Sequence, residues 1–99
     1  MKIKFKDLIL VLIYKTTGKW TWYQLARALD MRGIGGRANV GTLAEELVSE
    51  GYVIQKMSTE NPNPIYYITD KGNDKVQELL SIYGYDPFEP LKQNPENYE

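Results

Sequence analysis

The sequence has 99 residues, of which 42% are hydrophobic and 25% are charged, and its formal net charge is −1. This length and composition are typical of one small globular domain with a single core. The chain contains neither cysteine nor histidine. This excludes disulfides, zinc–thiolate sites and the commonest general base, so we expect no metal site and no cofactor.

The near-zero net charge hides an uneven distribution. Residues 1–40 carry eight basic and two acidic side chains, whereas residues 41–99 carry four basic and eleven acidic ones. A basic half can attract a polyanion even when the total charge is near zero. The alternative is the ordinary fluctuation of charge along a chain.

The first predicted element is a helix that Asp7 caps and that continues to about Lys15. Its apolar run, Leu8 to Tyr14, is too short to cross a bilayer, and no cleavage signal follows it. We therefore expect a cytoplasmic protein without membrane contact. Because the helix is apolar on nearly all sides, either another element of the chain or a second subunit must cover its second side.

A second helix is predicted from Thr21 to about Asp30. Thr21 and Gln24 form a capping-box pattern, and the inward stripe contains Leu25 and Leu29 with Tyr23 or Ala26. The three aromatic residues at its start, Trp20, Trp22 and Tyr23, suggest either packing against the third helix and hairpin or a pocket or stacking surface. Packing is favoured, because aromatic side chains dominate small cores.

The third helix follows a glycine-rich break and ends near Glu50. Val40, Leu43 and Leu47 define its apolar face, and Gly51 is placed where a left-handed residue ends a helix. On the outer face of this helix, the N-terminal part (its front) carries small and polar residues, whereas the C-terminal part carries acidic residues.

Two strands and a fourth helix complete the predicted fold. The segments 52–57 and 65–69 are rich in β-formers and flank a polar loop, which predicts a hairpin with a projecting tip. A last helix follows to Tyr83 and is closed by Gly84. The order of elements predicts an α+β protein with a winged helix-turn-helix architecture.

The C-terminal residues are predicted to be a tail. From Tyr85 onward the chain contains three prolines and an excess of acidic residues, so no regular element is expected. The predicted organisation is a domain at residues 1–84 and a flexible tail at residues 85–99. The tail is a candidate binding segment for a protein partner. Deletion of residues 86–99 is expected to leave the fold intact.

Three segments resemble the winged-helix transcriptional regulators of the PadR and MarR type. These are "LILVLIYKTTGKWTWYQLARAL", "GTLAEELVSEGYV" and "IYYITDKG". Leu47 and Gly51 match the core leucine and helix-ending glycine of that family, and Thr69 to Gly72 matches its Thr-x-x-Gly turn. The resemblance covers residues 5–83, and the compact size is similar to that of small winged-helix proteins of archaea and their viruses.

The resemblance implies sequence-specific binding of double-stranded DNA by a transcriptional regulator. The start of the third helix would enter the major groove, where Arg37, Asn39 and Thr42 contact bases or phosphates. Ala38 and Gly41 would keep that helix slim. Other predicted DNA contacts are phosphate contacts from Lys19 and Arg27, and contacts near the hairpin from Lys56, Ser58 and Asn61.

The resemblance also implies a homodimer, since two-fold DNA sites mirror protein symmetry. The predicted interface combines residues of the first and last helices: Leu8, Leu12, Val76, Leu79, Leu80 and Tyr83. The alternative is that the last helix simply packs against the first helix of its own chain.

Catalysis is not expected. The carboxylates lie on exposed helix faces, and "GIGG" is too short for a phosphate-binding loop. A different class remains open: a winged helix that serves as a protein-interaction module without DNA binding, which the acidic half and the C-terminal residues favour.

Overall fold

The computed structural model describes residues 4–33, 40–57, 59–60 and 62–88. Its elements are α1 (Phe5–Lys15), α2 (Trp22–Met31), α3 (Val40–Ser49), β1 (Val53–Lys56), β2 (Ile65–Ile68) and α4 (Asp70–Tyr83). The predicted order of three helices, a hairpin and a fourth helix is confirmed.

Helix α1 forms the centre of the core. Each residue from Ile9 to Ile13 is at most 1% exposed, and the helix packs against α2, α3, α4 and β2. Elements of the same chain therefore cover this helix, and its burial needs no second subunit.

The start of α1 differs from the prediction. The helix begins at Phe5 with Lys4 at the N-cap position, so the prediction that Asp7 caps it is wrong. Asp7 lies in the first turn, where a carboxylate interacts favourably with the helix dipole. Capping and first-turn preferences overlap for aspartate, which explains the error.

Helices α2 and α3 follow the predicted patterns. The backbone N–H of Thr21 donates to Gln24 Oε1 at 3.0 Å, which confirms the capping box at the start of α2. At the end of α3, Gly51 has a φ of +87°, and the N–H of Tyr52 donates to the carbonyl of Leu47 at 3.0 Å. Gly51 thus ends α3 in the left-handed conformation, as predicted.

Strands β1 and β2 form an antiparallel hairpin. Its paired residues are Val53 with Ile68, Ile54 with Tyr67, Gln55 with Tyr66, and Lys56 with Ile65. Tyr66 is 3% exposed, whereas Tyr67 on the other face is half-buried. The two tyrosines therefore point to opposite faces of the hairpin, as neighbouring residues of a strand do.

The segment before α2 binds the outer edge of this hairpin. Gly18 N–H donates to the carbonyl of Tyr66 at 2.9 Å, and Tyr66 N–H donates to the carbonyl of Trp20 at 3.3 Å. Ile68 N–H donates to Thr17 Oγ1 at 2.9 Å. These bonds satisfy backbone groups on the edge of β2 that does not pair with β1, and they tie the start of α2 to the hairpin.

The Thr-x-x-Gly turn joins α4 to the end of α3. The hydroxyl of Thr69 accepts a hydrogen bond from Gly72 N–H at 3.0 Å and donates to the carbonyl of Gly51 at 2.7 Å. Its backbone N–H donates to the carbonyl of Tyr52 at 3.1 Å. One threonine therefore caps α4 and fixes it to the turn that ends α3.

Residues 85–88 pack against the domain, which corrects the prediction of a tail that starts at Tyr85. Phe88 is 0% exposed, and its N–H donates to Asp86 Oδ1 at 2.9 Å. Asp86 also forms an ion pair with Lys15 at the end of α1. Composition indicated a tail, but burial of one phenylalanine and pairing of one carboxylate hold this segment in place.

Candidate nucleic-acid interface

No described residue covers the outer side of the start of α3. Val40 is completely buried, whereas Thr42 is exposed and Gly41 is half-buried. A Cβ atom added at Gly41 would meet no described atom within 4 Å. The described start of this helix thus has its apolar side in the core and its small, polar side in open space.

Five of the predicted DNA contacts lie outside the described residues: Arg37, Ala38, Asn39, Ser58 and Asn61. The other five lie in described segments. Thr42 and Gly41 are at the start of α3, and Lys56 ends β1. Arg27 lies on α2, and Lys19 lies in the turn before that helix. Apart from the half-buried Gly41, these five residues are exposed.

The outer face of α3 becomes acidic towards its end, and α1 partly neutralises it. Lys6 Nζ lies 2.7 Å from Glu50 Oε2 and 3.1 Å from Glu46 Oε1. The hydrogen bond from Lys6 to Glu50 is the main cause that raises the lysine pKa above its usual value. Lys6 therefore neutralises part of the charge of Glu46 and Glu50 rather than serving as an independent phosphate contact. Glu45, on the same helix, is exposed.

Two other members of the basic N-terminal half also make internal contacts. Lys15 is 9% exposed and pairs with Asp86. The guanidinium of Arg32 lies 5.6 Å from the centre of the Phe88 ring, a distance that permits a cation–π interaction. The basic N-terminal half was expected to attract a polyanion, but Lys15 and Arg32 make contacts within the fold.

Aromatic residues at the start of α2 differ in their environments. Trp20 packs against the core, but Trp22 and Tyr23 are 38% and 54% exposed. Their rings meet edge to face with centroids 5.9 Å apart. The favoured prediction of core packing is therefore wrong for Trp22 and Tyr23, because Leu25, Ala26 and Leu29 already fill the inner face of α2.

The hairpin presents one cation on a mixed surface. Lys56 Nζ lies 5.2 Å from the centre of the Tyr67 ring, and the Tyr67 ring in turn covers Gly18. Ile54 and Met57 nearby are 43% and 67% exposed. This face is thus aromatic and aliphatic around a single positive charge.

The six residues of the predicted dimer interface differ in how deeply they are buried. Leu12, Val76 and Leu79 are at most 5% exposed inside one chain, and α4 packs on α1. Leu8, Leu80 and Tyr83 are only partly buried. The accessible part of the predicted interface therefore consists of these last three residues, because internal packing of α4 on α1 uses the others.

Tyr83 makes stability sensitive to high pH. Its hydroxyl is buried without a hydrogen-bond partner among the described residues, and burial, followed by the charge of Asp7, raises its pKa to about 12 from the usual 10.0. Because this pKa is higher in the folded chain, the stabilisation is complete below pH 10 and is lost as the pH rises towards 12. The loss is on the order of 1–2 kcal/mol.

We expect Tyr83→Phe to flatten this pH dependence, since phenylalanine has no proton to lose. Urea unfolding at several pH values between 9 and 12 measures the effect. Tyr23→Phe is the control, because the Tyr23 side chain is 54% exposed and belongs to a different helix. Equal slopes for wild type and Tyr83→Phe would contradict the assignment.

No helix within the described ranges is both long and apolar enough to cross a membrane. In the same ranges, no cluster of three or more acidic side chains has the geometry of a metal site.

Comparison with known proteins identifies the architecture. No protein-family model and no curated protein matches the sequence. The transcriptional regulator SlyA is similar in structure, with a TM-score of 0.70 and 16% identity over 82% of this chain and 54% of the SlyA chain. This chain therefore matches about half the length of SlyA.

Two smaller proteins are also similar. SSV1 F-93 has a TM-score of 0.65 and 17% identity over 84% of this chain and 92% of its own. A PadR family transcriptional regulator from Eggerthella lenta DSM 2243 has a TM-score of 0.61 and 20% identity over 79% of this chain and 72% of its own. With its three-helix core, its antiparallel hairpin and its fourth helix, the chain has the α+β winged helix-turn-helix fold of these proteins.

Proposed function

We propose that this chain is a transcriptional regulator that binds specific sequences in duplex DNA as a homodimer and performs no catalysis. The observation that carries the proposal is the outer side of the start of α3, which no described residue covers. In a winged helix, the third helix is the element that enters the major groove. Here Thr42 is exposed and a Cβ atom added at Gly41 would meet no described atom within 4 Å, while Val40 anchors the same turn in the core.

The distribution of charge supports this orientation. Arg27 and Lys56 are exposed, and neither forms an ion pair with another described residue. In contrast, Lys6 and Lys15 pair with carboxylates inside the domain. We assign phosphate contacts to Arg27, Lys19 and Lys56, which would position the protein without reading sequence.

Base recognition is assigned to the residues around the start of α3. Arg37 would hydrogen-bond guanine or a phosphate, Asn39 would pair with adenine, and Thr42 would contact a base or the backbone. Ala38 and Gly41 would allow close approach to the groove. Ser58 and Asn61 in the hairpin loop would lie near the backbone or minor groove.

The homodimer is proposed to form through the partly exposed apolar residues of α1 and α4. Leu8, Leu80 and Tyr83 remain accessible after α4 has packed on α1, and Ile82 on the same helix is 49% exposed. A two-fold arrangement would place two α3 helices on successive turns of the duplex.

A protein-interaction module is the second candidate. Exposed Ile54 and Met57 on the hairpin, and exposed Glu45 on α3, favour a protein partner over a phosphate backbone.

Binding to duplex DNA decides between the two candidates. Fluorescence anisotropy of labelled mixed duplex fragments should show binding at low salt that weakens steeply as salt increases, because phosphate contacts release counterions. Absence of binding at low salt would reject the DNA-binding proposal and favour the interaction module. Selection from random duplexes would then identify the preferred sequence.

Arg37→Ala is expected to weaken binding to a selected duplex by about 1–3 kcal/mol and to relax preference at one base pair. Anisotropy titrations of both proteins with matched and singly altered duplexes measure this change. Lys75→Ala is the control, since it removes one positive charge from α4, outside the proposed interface. Equal affinity of wild type and Arg37→Ala would remove Arg37 from the site.

A further inference from the structure

The side chain of Lys56 at the end of β1 lies over an aromatic ring. Its Nζ is 5.2 Å from the centre of the Tyr67 ring, a distance that permits a cation–π interaction. In the register of the hairpin, Lys56 pairs with Ile65, and Tyr67 pairs with Ile54. Lys56 and Tyr67 are therefore diagonal neighbours on one face of the sheet, within reach of a long side chain.

The Tyr67 ring also contacts the turn that precedes α2. A Cβ atom added at Gly18 would lie 3.0 Å from Cε2 and 3.5 Å from Cδ2 of this ring, so the ring occupies space that only glycine leaves free. The turn itself is bound to β2. Gly18 N–H donates to the carbonyl of Tyr66 at 2.9 Å, and Ile68 N–H donates to Thr17 Oγ1 at 2.9 Å. These contacts hold the ring independently of the lysine above it.

Two lysines of the N-terminal half are held in a different way. Lys6 forms ion pairs with Glu46 and Glu50. Lys15 forms an ion pair with Asp86. These carboxylates neutralise the lysine charges that they hold. The ring contact at the end of β1 instead restricts a lysine through the quadrupole of the ring, which leaves the full positive charge in place.

We infer that Tyr67 is a positioning residue, which holds the Lys56 ammonium in place for a phosphate oxygen of duplex DNA. The inference rests on the proposed function, in which Lys56 contacts phosphate, and adds the group that orders this lysine. An unrestrained lysine side chain loses much rotamer freedom when it binds a phosphate. The ring removes part of that freedom in the free protein, so less is lost on binding.

Substitutions of Tyr67 and Lys56 test this role in anisotropy titrations of mixed-sequence duplex DNA at several salt concentrations. Tyr67→Leu removes the ring and should weaken binding about two- to fivefold, which corresponds to one exposed cation–π contact. Tyr67→Phe keeps the ring and should bind like wild type. Lys56→Ala should weaken binding and lower the salt dependence by about one phosphate contact.

A double variant distinguishes positioning from a general effect on the hairpin. If the ring acts through Lys56, Tyr67→Leu should not weaken binding further in the Lys56→Ala background. Circular dichroism checks that each variant is folded, and Tyr67→Met takes the place of Tyr67→Leu if the latter does not fold.

A second contact between a lysine and a tyrosine provides the matched control. Lys71 Nζ lies 5.0 Å from the centre of the Tyr52 ring, and it donates to the carbonyl of Glu50 at the end of α3. This pair is at the opposite end of α3 from the proposed groove contact. Lys71→Ala removes the same charge as Lys56→Ala, but it should leave affinity and salt dependence close to those of wild type.

Four outcomes would contradict the inference. Wild-type affinity of Tyr67→Leu or of Lys56→Ala would overturn it and leave the proposed function intact. An equal loss from Tyr67→Leu with and without Lys56 would assign the ring to support of the whole hairpin. A loss in Tyr67→Phe as large as that in Tyr67→Leu would assign the effect to the hydroxyl group. Failure of the wild-type chain to bind duplex DNA at low salt would overturn the proposed function together with the inference.

Discussion

Phe88→Ala is expected to lower the free energy of unfolding by about 3–5 kcal/mol. Phe88 is 0% exposed and belongs to the same core as α1 and α4, so truncation removes a complete buried ring and leaves a cavity. Arg32 would also lose the ring beneath its guanidinium. Urea unfolding followed by circular dichroism measures the change.

Tyr85→Ala is the matched control, because it removes an aromatic ring that is 58% exposed. Its effect should stay within about 0.5 kcal/mol. Two truncated chains extend the test: one that ends after residue 88 should keep near-wild-type stability, and one that ends after residue 85 should lose as much as Phe88→Ala or more. Equal stability of the two truncated chains would support the original prediction of a tail that starts at Tyr85.

Gly72→Ala is expected to destabilise the fold by about 3 kcal/mol. An added Cβ atom would overlap the carbonyl oxygen of Tyr52 and would lie 2.7 Å from Ile68 Cδ1. Because the first clash is with backbone, a change of rotamer cannot relieve it. The first turn of α4 would have to move away from the end of α3, with loss of the hydrogen bonds that Thr69 donates to the carbonyls of Gly51 and Tyr52.

Gly41→Ala serves as the matched control for the stability measurement. Gly41 lies within α3, and a Cβ atom there meets no described atom within 4 Å. Alanine should therefore stabilise the helix by about 0.5–1 kcal/mol through its higher helix propensity. Opposite signs for the two glycine substitutions in urea unfolding are the expected result. A neutral Gly72→Ala would show that α4 does not require this close approach.

The candidate site was only partly predictable. Exposure of Thr42 follows from its position opposite Val40 and Ala44 on a 3.6-residue period. The exposure of Trp22 and Tyr23 does not, because residue type alone favours a buried position for aromatics in a small domain. Helical periodicity gives no signal for Trp22 either, because it precedes the buried Ala26 by four residues and so lies on the same side of the helix.

Local patterns in the sequence by themselves determined the order of elements and most of their ends. The capping box at Thr21, the left-handed Gly51 and the alternating strands all act over a few residues, so their structural meaning can be inferred without knowledge of distant contacts. Together they were sufficient for the winged helix-turn-helix architecture.

Only the tertiary structure decided which cations and aromatics are available to a partner. Lys15 pairs with Asp86, Lys6 pairs with Glu50, and Phe88 closes the core from a segment whose composition indicated a tail. Each of these contacts joins residues more than forty positions apart in the chain or depends on the space left between helices. Sequence periodicity carries no information about such distances, whereas burial and pairing in the folded chain depend on them directly.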